Sequence, residues 1–348
     1  MPIKKSPAKK PVVSPAKSPK SPAKSAVKAA KAAVKAPALP AAEPVKNSWV
    51  GRVPQLQPGK YEDGIPFNDL NYLAFKLLLK PNRFVSRKSL FDFGKVLKGP
   101  CVKNGVTFSS KDYINEPIKV REVIFIDTPD FRLYNNAFIL RRRVEYIDGF
   151  PLSDPEIVFK YRSADFQKTA EIDVRPHKIT GDHTIKFKCQ VLPLKDELGG
   201  IRILYSQNVQ FPRSNVKLDD VTSFDEISEI LPALKILRKT PGEKVQLVNE
   251  TIVEEVLQDI GEIDFGGGMA AKANVGIWRI RGSHKPMIAE FAFQFKCRDR
   301  AALGREQLII AEKFFIDLQY AAKDWLALNA TKTGVVYKLL GYTPKSHE

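Results

Sequence analysis

The chain has 348 residues, of which 43% are hydrophobic, and a formal net charge of +17 at pH 7. This length and apolar content suffice for one large domain, and the excess of lysine and arginine favours phosphate-rich partners. The three cysteines, Cys101, Cys189 and Cys297, form no C-x-x-C pair and only four histidines are present. Neither a disulfide framework nor a zinc site is therefore predicted.

Cysteine usage and apolar run lengths predict where the protein resides. An odd number of distant cysteines fits a reducing compartment. No run approaches the roughly 18 consecutive apolar residues of a membrane span, and the first residues lack the apolar core of a secretory signal. We therefore expect a cytoplasmic protein, nucleoid-associated in a bacterium or nuclear in a eukaryote.

Residues 1–46 form a lysine-rich segment without aromatic residues or arginine. They hold eleven lysines and one glutamate, and Ser-Pro-Ala-Lys repeats recur, as at 21–24. This composition buries too little apolar surface to offset chain entropy, which predicts a disordered basic tail ahead of one folded domain over 47–348. The tail resembles those of linker histones and suits a nucleic-acid or polyphosphate backbone; a solubilising spacer is the alternative. The contacts to nucleic acid are expected at Lys9, Lys10, Lys17, Lys20 and Lys24.

Beyond the tail, short apolar runs predict a series of strands. In chain order the runs are 72–79, 123–126, 138–144, 157–162, 170–174, 185–188, 201–205, 275–281 and 288–296. Ser223 and Glu226 form a capping box that predicts a helix starting at Ser223. A long amphipathic helix is expected from about Arg300 to Leu328, with its apolar face in the core. These elements predict an α+β fold.

Charged residues occupy every second position of several predicted strands, so they share a face. An antiparallel sheet with one face in water gives this alternation. Closure of the strands into a barrel would instead place the cations inside it, where they suit a multiply charged anion. The pairs on a common face are Arg141 with Arg143, Lys160 with Arg162, Lys186 with Lys188, and Arg279 with Arg281.

Several motifs resemble the CYTH, or triphosphate tunnel, family. Residues 126–133, followed by 140–143, are similar to its Y-x-D-T…L-R-x-R hairpin, and 159–162 and 171–173 are similar to its next two strands. The resemblance spans about 70–341, with an insertion between 81 and 120. It implies an eight-stranded antiparallel barrel with flanking helices. Members act on triphosphates, using basic side chains for the phosphates and carboxylates for magnesium or manganese.

The resemblance also implies roles for the residues that match these strands. The family's first strand reads E-x-E-x-K, whereas this chain has Tyr72, Ala74 and Lys76. Two carboxylates are thus lost, and metal-dependent triphosphatase activity is expected to be weak or absent. The phosphates would be bound by Lys76, Arg141, Arg143, Lys160, Arg162, Arg279 and Arg281. Magnesium or manganese, if bound, would be held by Glu171, Asp173 and Glu290.

Three functions stay open at the level of sequence. The first is binding of a triphosphate or polyphosphate-like anion in a basic tunnel, with weak metal-dependent hydrolysis at most. The second is a non-enzymatic, nucleic-acid-associated protein that uses its tail and keeps the barrel as a scaffold. The third is an interaction domain without a small ligand. A closed barrel with the cations converging inside it would favour the first.

Overall fold

The computed structural model describes Ser48 and residues 56–216, 222–238, 240–297 and 304–342. The predicted tail over 1–46, including its nucleic-acid-binding lysines, lies outside these ranges, so its disorder and its partner stay predictions. Within the described ranges, no helix combines the length and the apolar character needed to cross a membrane.

Strands and short helices alternate along the described chain. The strands are β1 (Tyr72–Leu79), β2 (Thr107–Ser109), β3 (Lys119–Asp127), β4 (Phe138–Ile147), β5 (Phe150–Pro151), β6 (Glu156–Ser163), β7 (Thr184–Pro193), β8 (Ile201–Pro212), β9 (Gln246–Asp264), β10 (Ala270–Ile280) and β11 (Pro286–Lys296). The α-helices are α1 (Arg87–Val96), α2 (Lys98–Asn104), α3 (Arg132–Asn135), α4 (Phe166–Glu171), α5 (Phe224–Ile230), α6 (Arg305–Ala321) and α7 (Lys332–Tyr337).

Nine of the described strands close into a barrel. The hydrogen-bonded order is β1-β7-β8-β6-β4-β3-β9-β10-β11, and β11 pairs again with β1. Every pairing in this ring is antiparallel except that of β1 with β7, in which Tyr72 lies beside Lys188. The barrel predicted from the sequence is therefore confirmed, with nine strands in place of eight and one parallel pair.

The sequence does not predict β9, which spans 19 residues. Glu254 and Glu255 are adjacent in this strand, so charge appears on both of its faces and the alternation is lost. Acidic residues are also depleted in strands generally. Near its start, Asn249 and Glu250 adopt left-handed φ angles of 50° and 49°, which interrupt the regular backbone.

The predicted strand over 170–174 is wrong. Residues Phe166–Glu171 form helix α4, because the side chain of Asp165 accepts a hydrogen bond of 2.9 Å from the backbone N–H of Lys168. This bond caps the first helical turn. Glu171 and Asp173 therefore do not share the face of a strand.

The apolar faces of the strands point outward, where helices cover them. Phe75 of β1 and Phe293 of β11 stack with ring centroids 4.7 Å apart, and Phe315 of α6 packs on Phe75 at 5.3 Å. Leu308 and Leu318 of α6 are buried in the same cluster. This confirms that the apolar face of the long helix packs into the core, although the helix is shorter than predicted.

An apolar layer and helix α7 close one end of the barrel. Leu78 and Trp278 belong to a buried cluster that also contains Tyr337 of α7. The hydroxyl of Tyr337 donates a hydrogen bond of 2.9 Å to the buried carboxylate of Asp127, and its ring stacks on Tyr134 at 4.1 Å between centroids. The interior of the barrel, which we call the lumen, is therefore closed at this end, and we call this closed end its floor.

Candidate functional site

Basic side chains from four strands line the lumen. On β6, Phe159 and Tyr161 lie in an outer core cluster, so Lys160 and Arg162 between and after them point inward. The same alternation turns Lys76 inward, because its neighbour Phe75 packs outside. We call the following seven residues the lumen cations: Lys76, Arg141, Arg143, Lys160, Arg162, Lys186 and Lys188.

The lumen cations are close enough to shift each other's pKa values. Burial, followed by repulsion from Arg141 and Arg162, lowers the pKa of Lys160 well below its ordinary value. Burial, followed by repulsion from Lys76 and Lys186, lowers the pKa of Lys188 to about 7. These shifts have the sign expected when like charges are gathered where solvent is scarce.

The two arginines have lower pKa values for a similar reason. Burial, followed by repulsion from Arg143, lowers the pKa of Arg141 to about 10. Burial is also the largest cause that lowers the pKa of Arg162 to about 10. Both guanidinium groups therefore stay protonated near neutral pH, and the lumen keeps a positive charge.

The lumen thus gathers five of the seven residues predicted to bind phosphate: Lys76, Arg141, Arg143, Lys160 and Arg162. The prediction that Arg279 and Arg281 share this site is not met by the structure. Trp278 points inward from β10, so the adjacent Arg279 points outward, and Arg281, two residues further along, shares the outer face. Arg279 pairs with Glu254 and Arg281 pairs with Glu122. Their shared face was identified correctly, but it is the outer one.

Lys186 and Lys188 also point into the lumen, although the sequence did not lead us to assign them to the phosphates. The alternation of charged and apolar residues along β7 is the pattern that could have identified them. Lys186 donates to Gln210 at 2.8 Å, and Lys188 donates to Gln294 at 3.2 Å. Both lysines thus contact amide oxygens, which do not neutralise their charge. Among the described residues, the buried Nε of Arg141 has no hydrogen-bond partner.

The carboxylates predicted to hold a metal ion lie apart. Glu171 is at the exposed end of α4, where it accepts a hydrogen bond of 2.9 Å from Gln167. Asp173 lies beyond that helix and pairs with Arg175 at 2.5 Å. Only Glu290 faces the lumen, 3.6 Å from the ammonium of Lys76. The three residues therefore do not form one metal site.

A different carboxylate lies opposite Glu290. Glu255 of β9 accepts a hydrogen bond of 2.7 Å from the indole N–H of Trp278. The ammonium of Lys332 lies between the two carboxylates, 3.1 Å from Glu255 and 3.0 Å from Glu290. Because this lysine belongs to the C-terminal helix α7, no local sequence pattern connects it with either glutamate.

These carboxylates do not fit a divalent cation. Magnesium and manganese need oxygen ligands that are free to coordinate them, and here an ammonium already bridges the pair. Across the described ranges, no group of three or more His, Cys, Asp or Glu side chains is arranged to hold a metal ion. No chemical step is therefore assigned to a metal in this lumen.

The end of the lumen opposite the floor is accessible to solvent. The side chains of Arg143 and Glu156 pair there and are 24% and 25% exposed. A cavity of about 630 Å³ lies beside them, lined also by Thr184 and Gln210. An anion can therefore enter at this end and meet the lumen cations, while α7 and the apolar layer block the other end.

Comparison with known proteins finds similar solved structures. No protein-family profile matches the chain, and no curated protein matches it. The fold is similar to that of a putative adenylyl cyclase from Hippeastrum described as having a dominant triphosphatase activity, with 11% identity, a TM-score of 0.35, and coverage of 80% of this chain and 100% of that one.

Two further solved structures are similar to the chain. A putative adenylate cyclase from Vibrio parahaemolyticus has 9% identity, a TM-score of 0.29, and coverage of 77% of this chain and 99% of that one. A protein from Pyrococcus horikoshii has 10% identity, a TM-score of 0.32, and coverage of 77% and 99%. At these TM-scores the similarities carry no argument about function, and the barrel is established by the chain's own strand pairings.

Proposed function

We propose that the lumen binds a triphosphate or polyphosphate-like anion. The observation that supports this function is the convergence of the seven lumen cations in a barrel with a closed floor. The carboxylates that share the lumen are already paired: Glu145 with Arg121, Glu156 with Arg143, and Glu255 and Glu290 with Lys332. A net positive charge is left for a ligand.

The charge is least compensated in the middle of the lumen. Glu156 partly offsets the repulsion on Lys186 near the entrance. At Lys160 and Lys188, by contrast, the electrostatic neighbours that act most strongly on the pKa are all cations. Because charges interact more strongly where water is scarce, an anion that reaches this level relieves the repulsion. The binding energy is thus expected to come from the deep positions.

The spacing of the cations favours a chain of phosphates over a single one. Lys160 and Arg162 are two residues apart on β6, and so are Arg141 and Arg143 on β4. Side chains at this spacing leave a strand roughly 6.6 Å apart. A triphosphate can contact both levels through different phosphate groups, and it therefore engages more of these cations at once than orthophosphate can. Charge-assisted hydrogen bonds contribute about 1.5–3 kcal/mol each, so each further phosphate should raise affinity at least about tenfold.

The site supports binding better than hydrolysis. Phosphoryl transfer in the family that the sequence resembles requires carboxylates that hold a metal beside the phosphates. Tyr72 and Ala74 share the face of Lys76 on β1, where two carboxylates would be needed. Because the remaining glutamates are paired with lysine and arginine, we propose weak or absent triphosphatase activity.

Isothermal titration of the full chain with tripolyphosphate, pyrophosphate and orthophosphate tests this proposal. The double variant Arg141→Ala/Arg143→Ala should bind tripolyphosphate at least about tenfold more weakly, given loss of two charge-assisted contacts. Arg279→Ala/Arg281→Ala is the matched control, because it removes the same charge from the outer face, and its affinity should be unchanged. Equal losses in the two variants, or equal affinity for orthophosphate and tripolyphosphate, would refute binding in the lumen.

A further inference from the structure

Lys332 occupies the position between two lumen carboxylates where a divalent cation would otherwise bridge them. Its ammonium lies 3.1 Å from one oxygen of Glu255 and 3.0 Å from one oxygen of Glu290. It also lies over the ring of Trp278, 4.8 Å from the centroid. The side chain is only 19% exposed, so the interaction is well shielded from solvent.

The remaining oxygens of the two glutamates have cationic partners as well. The second oxygen of Glu255 lies 3.5 Å from Arg121, and the second oxygen of Glu290 lies 3.6 Å from Lys76. All four oxygens of the pair are thus engaged by the chain's own donors. A metal ion would have to displace one or more ammonium or guanidinium groups to gain a ligand.

The fold holds Lys332 in this place. It is the first residue of α7, whose N-cap Thr331 accepts a hydrogen bond from the backbone N–H of Gly334 at 2.9 Å. At the other end of α7, the side-chain amide of Asn249 donates to the carbonyls of Val336 and Tyr337 at 2.7 and 3.1 Å. A packed helix thus delivers the ammonium to the floor of the lumen.

The carboxylates are needed to keep a cation at this end of a helix. A positive charge at a helix N-terminus is unfavourable because it opposes the helix dipole. Burial would lower the pKa of Lys332, but attraction to Glu290 and Glu255 outweighs it and raises the pKa. Burial raises the pKa of Glu290, but attraction to Lys332 and Lys76 outweighs it and lowers the pKa. All three groups therefore stay charged at neutral pH.

We propose that Lys332 is a built-in counter-cation that replaces a divalent metal ion, so that the lumen binds its anion without metal. The part of this inference that concerns anion binding rests on the proposed function. The part that concerns Lys332 and the glutamate pair does not, because it can be tested with the metal alone.

The first experiment measures manganese binding by calorimetry in the absence of any phosphate. Lys332→Met keeps the alkyl stem over Trp278 and frees the glutamate pair, so it should bind Mn²⁺ at least about tenfold more tightly than the wild type, as expected for two carboxylates without a cation between them. Lys338→Met, at an exposed position after the same helix, is the control and should bind like the wild type. A third variant, Lys332→Met/Glu255→Gln, should lose the gained affinity.

Each result of this experiment either supports or overturns the counter-cation role of Lys332. Equal Mn²⁺ affinity of wild type and Lys332→Met, with both proteins folded by circular dichroism, would overturn the counter-cation role. If Lys332→Met does not fold, a wild-type site for Mn²⁺ that Glu255→Gln removes would overturn it instead, and no such site would support it.

The second experiment titrates wild type with tripolyphosphate in EDTA and in Mg²⁺. Binding in EDTA supports the inference, and binding that requires Mg²⁺ overturns it while leaving the proposed function standing. No binding in either condition refutes the proposed function, and the manganese experiment then still decides the role of Lys332.

Discussion

Replacing Lys188 with methionine should stabilise the free protein and weaken its binding of tripolyphosphate. Burial, followed by repulsion from Lys76 and Lys186, lowers the pKa of Lys188 to about 7 from its ordinary value of 10.5. A tenfold change in a protonation equilibrium corresponds to about 1.4 kcal/mol, so keeping this lysine charged in the folded state costs at most about 5 kcal/mol. Methionine removes that cost and fills nearly the same volume.

The observed gain in stability will be smaller than this upper bound. The variant loses the hydrogen bond from Lys188 to Gln294 at 3.2 Å and the contact of the ammonium with the ring of Tyr72 at 4.7 Å. Each of these contributes about 0.5–1.5 kcal/mol. We therefore expect Lys188→Met to raise the free energy of unfolding by about 1–3 kcal/mol at pH 6.

The pH dependence gives the sharper test. Between pH 7 and 10.5 the unfolded chain holds a proton on Lys188 that the folded chain has lost, so the stability of the wild type rises with pH across this range. Below pH 7 both states are protonated and the cost is fully present. The gain from Lys188→Met should thus be largest near pH 6 and nearly absent at pH 10. The assay is urea unfolding followed by circular dichroism at each pH.

Two results would refute this reasoning. One is an equal stability difference at pH 6 and pH 10, because the gain would then not arise from the charge. The other is destabilisation at pH 6, because the lysine would then contribute more by its contacts than it costs by its charge. Binding of tripolyphosphate provides an independent readout. At pH 8 it should take up a proton in the wild type, seen as a buffer-dependent enthalpy, and less so in Lys188→Met.

Three further predictions concern stability, phosphate release and nucleic-acid binding. Asp127→Asn should lower the free energy of unfolding by about 2–4 kcal/mol in urea titrations, because the buried carboxylate accepts hydrogen bonds from the backbone of Leu133 and Tyr134 and from Tyr337; unchanged stability would contradict it. Phosphate release from tripolyphosphate, ATP or thiamine triphosphate with magnesium or manganese should be weak or absent, and Glu171→Ala should not change it; robust turnover lost in that variant would show the opposite. Deleting residues 1–46 should abolish most nucleic-acid binding, whose affinity should fall by roughly 10³–10⁵ between 50 and 200 mM salt if 6–10 phosphates are contacted; retention of that affinity after deletion would locate it elsewhere.

Local patterns predict much of this fold because helix caps and strand alternation depend on residues that are close together in the chain. The capping box of Ser223 and Glu226 is present at the start of α5, as expected. The alternation along β4 and β6 correctly pairs Arg141 with Arg143 and Lys160 with Arg162. Alternation does not reveal which face becomes the lumen, however. That choice depends on closure of the ring.

The residues that the sequence misassigned depend on distant contacts. Arg279 and Arg281 lie outside because Trp278 is needed in the floor cluster. Glu171 and Asp173 alternate with apolar residues as in a strand, but the cap at Asp165 starts helix α4, which includes Glu171. Lys332 and Glu255 are 77 positions apart in the chain. Only the packing of α7 on the barrel brings them together.

The lumen combines two ways of handling buried charge. At the floor, Lys332, Arg121 and Lys76 are paired with Glu255 and Glu290, so the chain itself compensates most of the charge in this layer. Above it, Lys160 and Lys188 repel their neighbours, which lowers stability, and the contacts of Lys188 with Gln294 and Tyr72 offset only part of this cost. Proteins retain such costly groups chiefly where function requires them. Because the floor cations already have carboxylate partners, a bound anion is needed to compensate the cations above the floor.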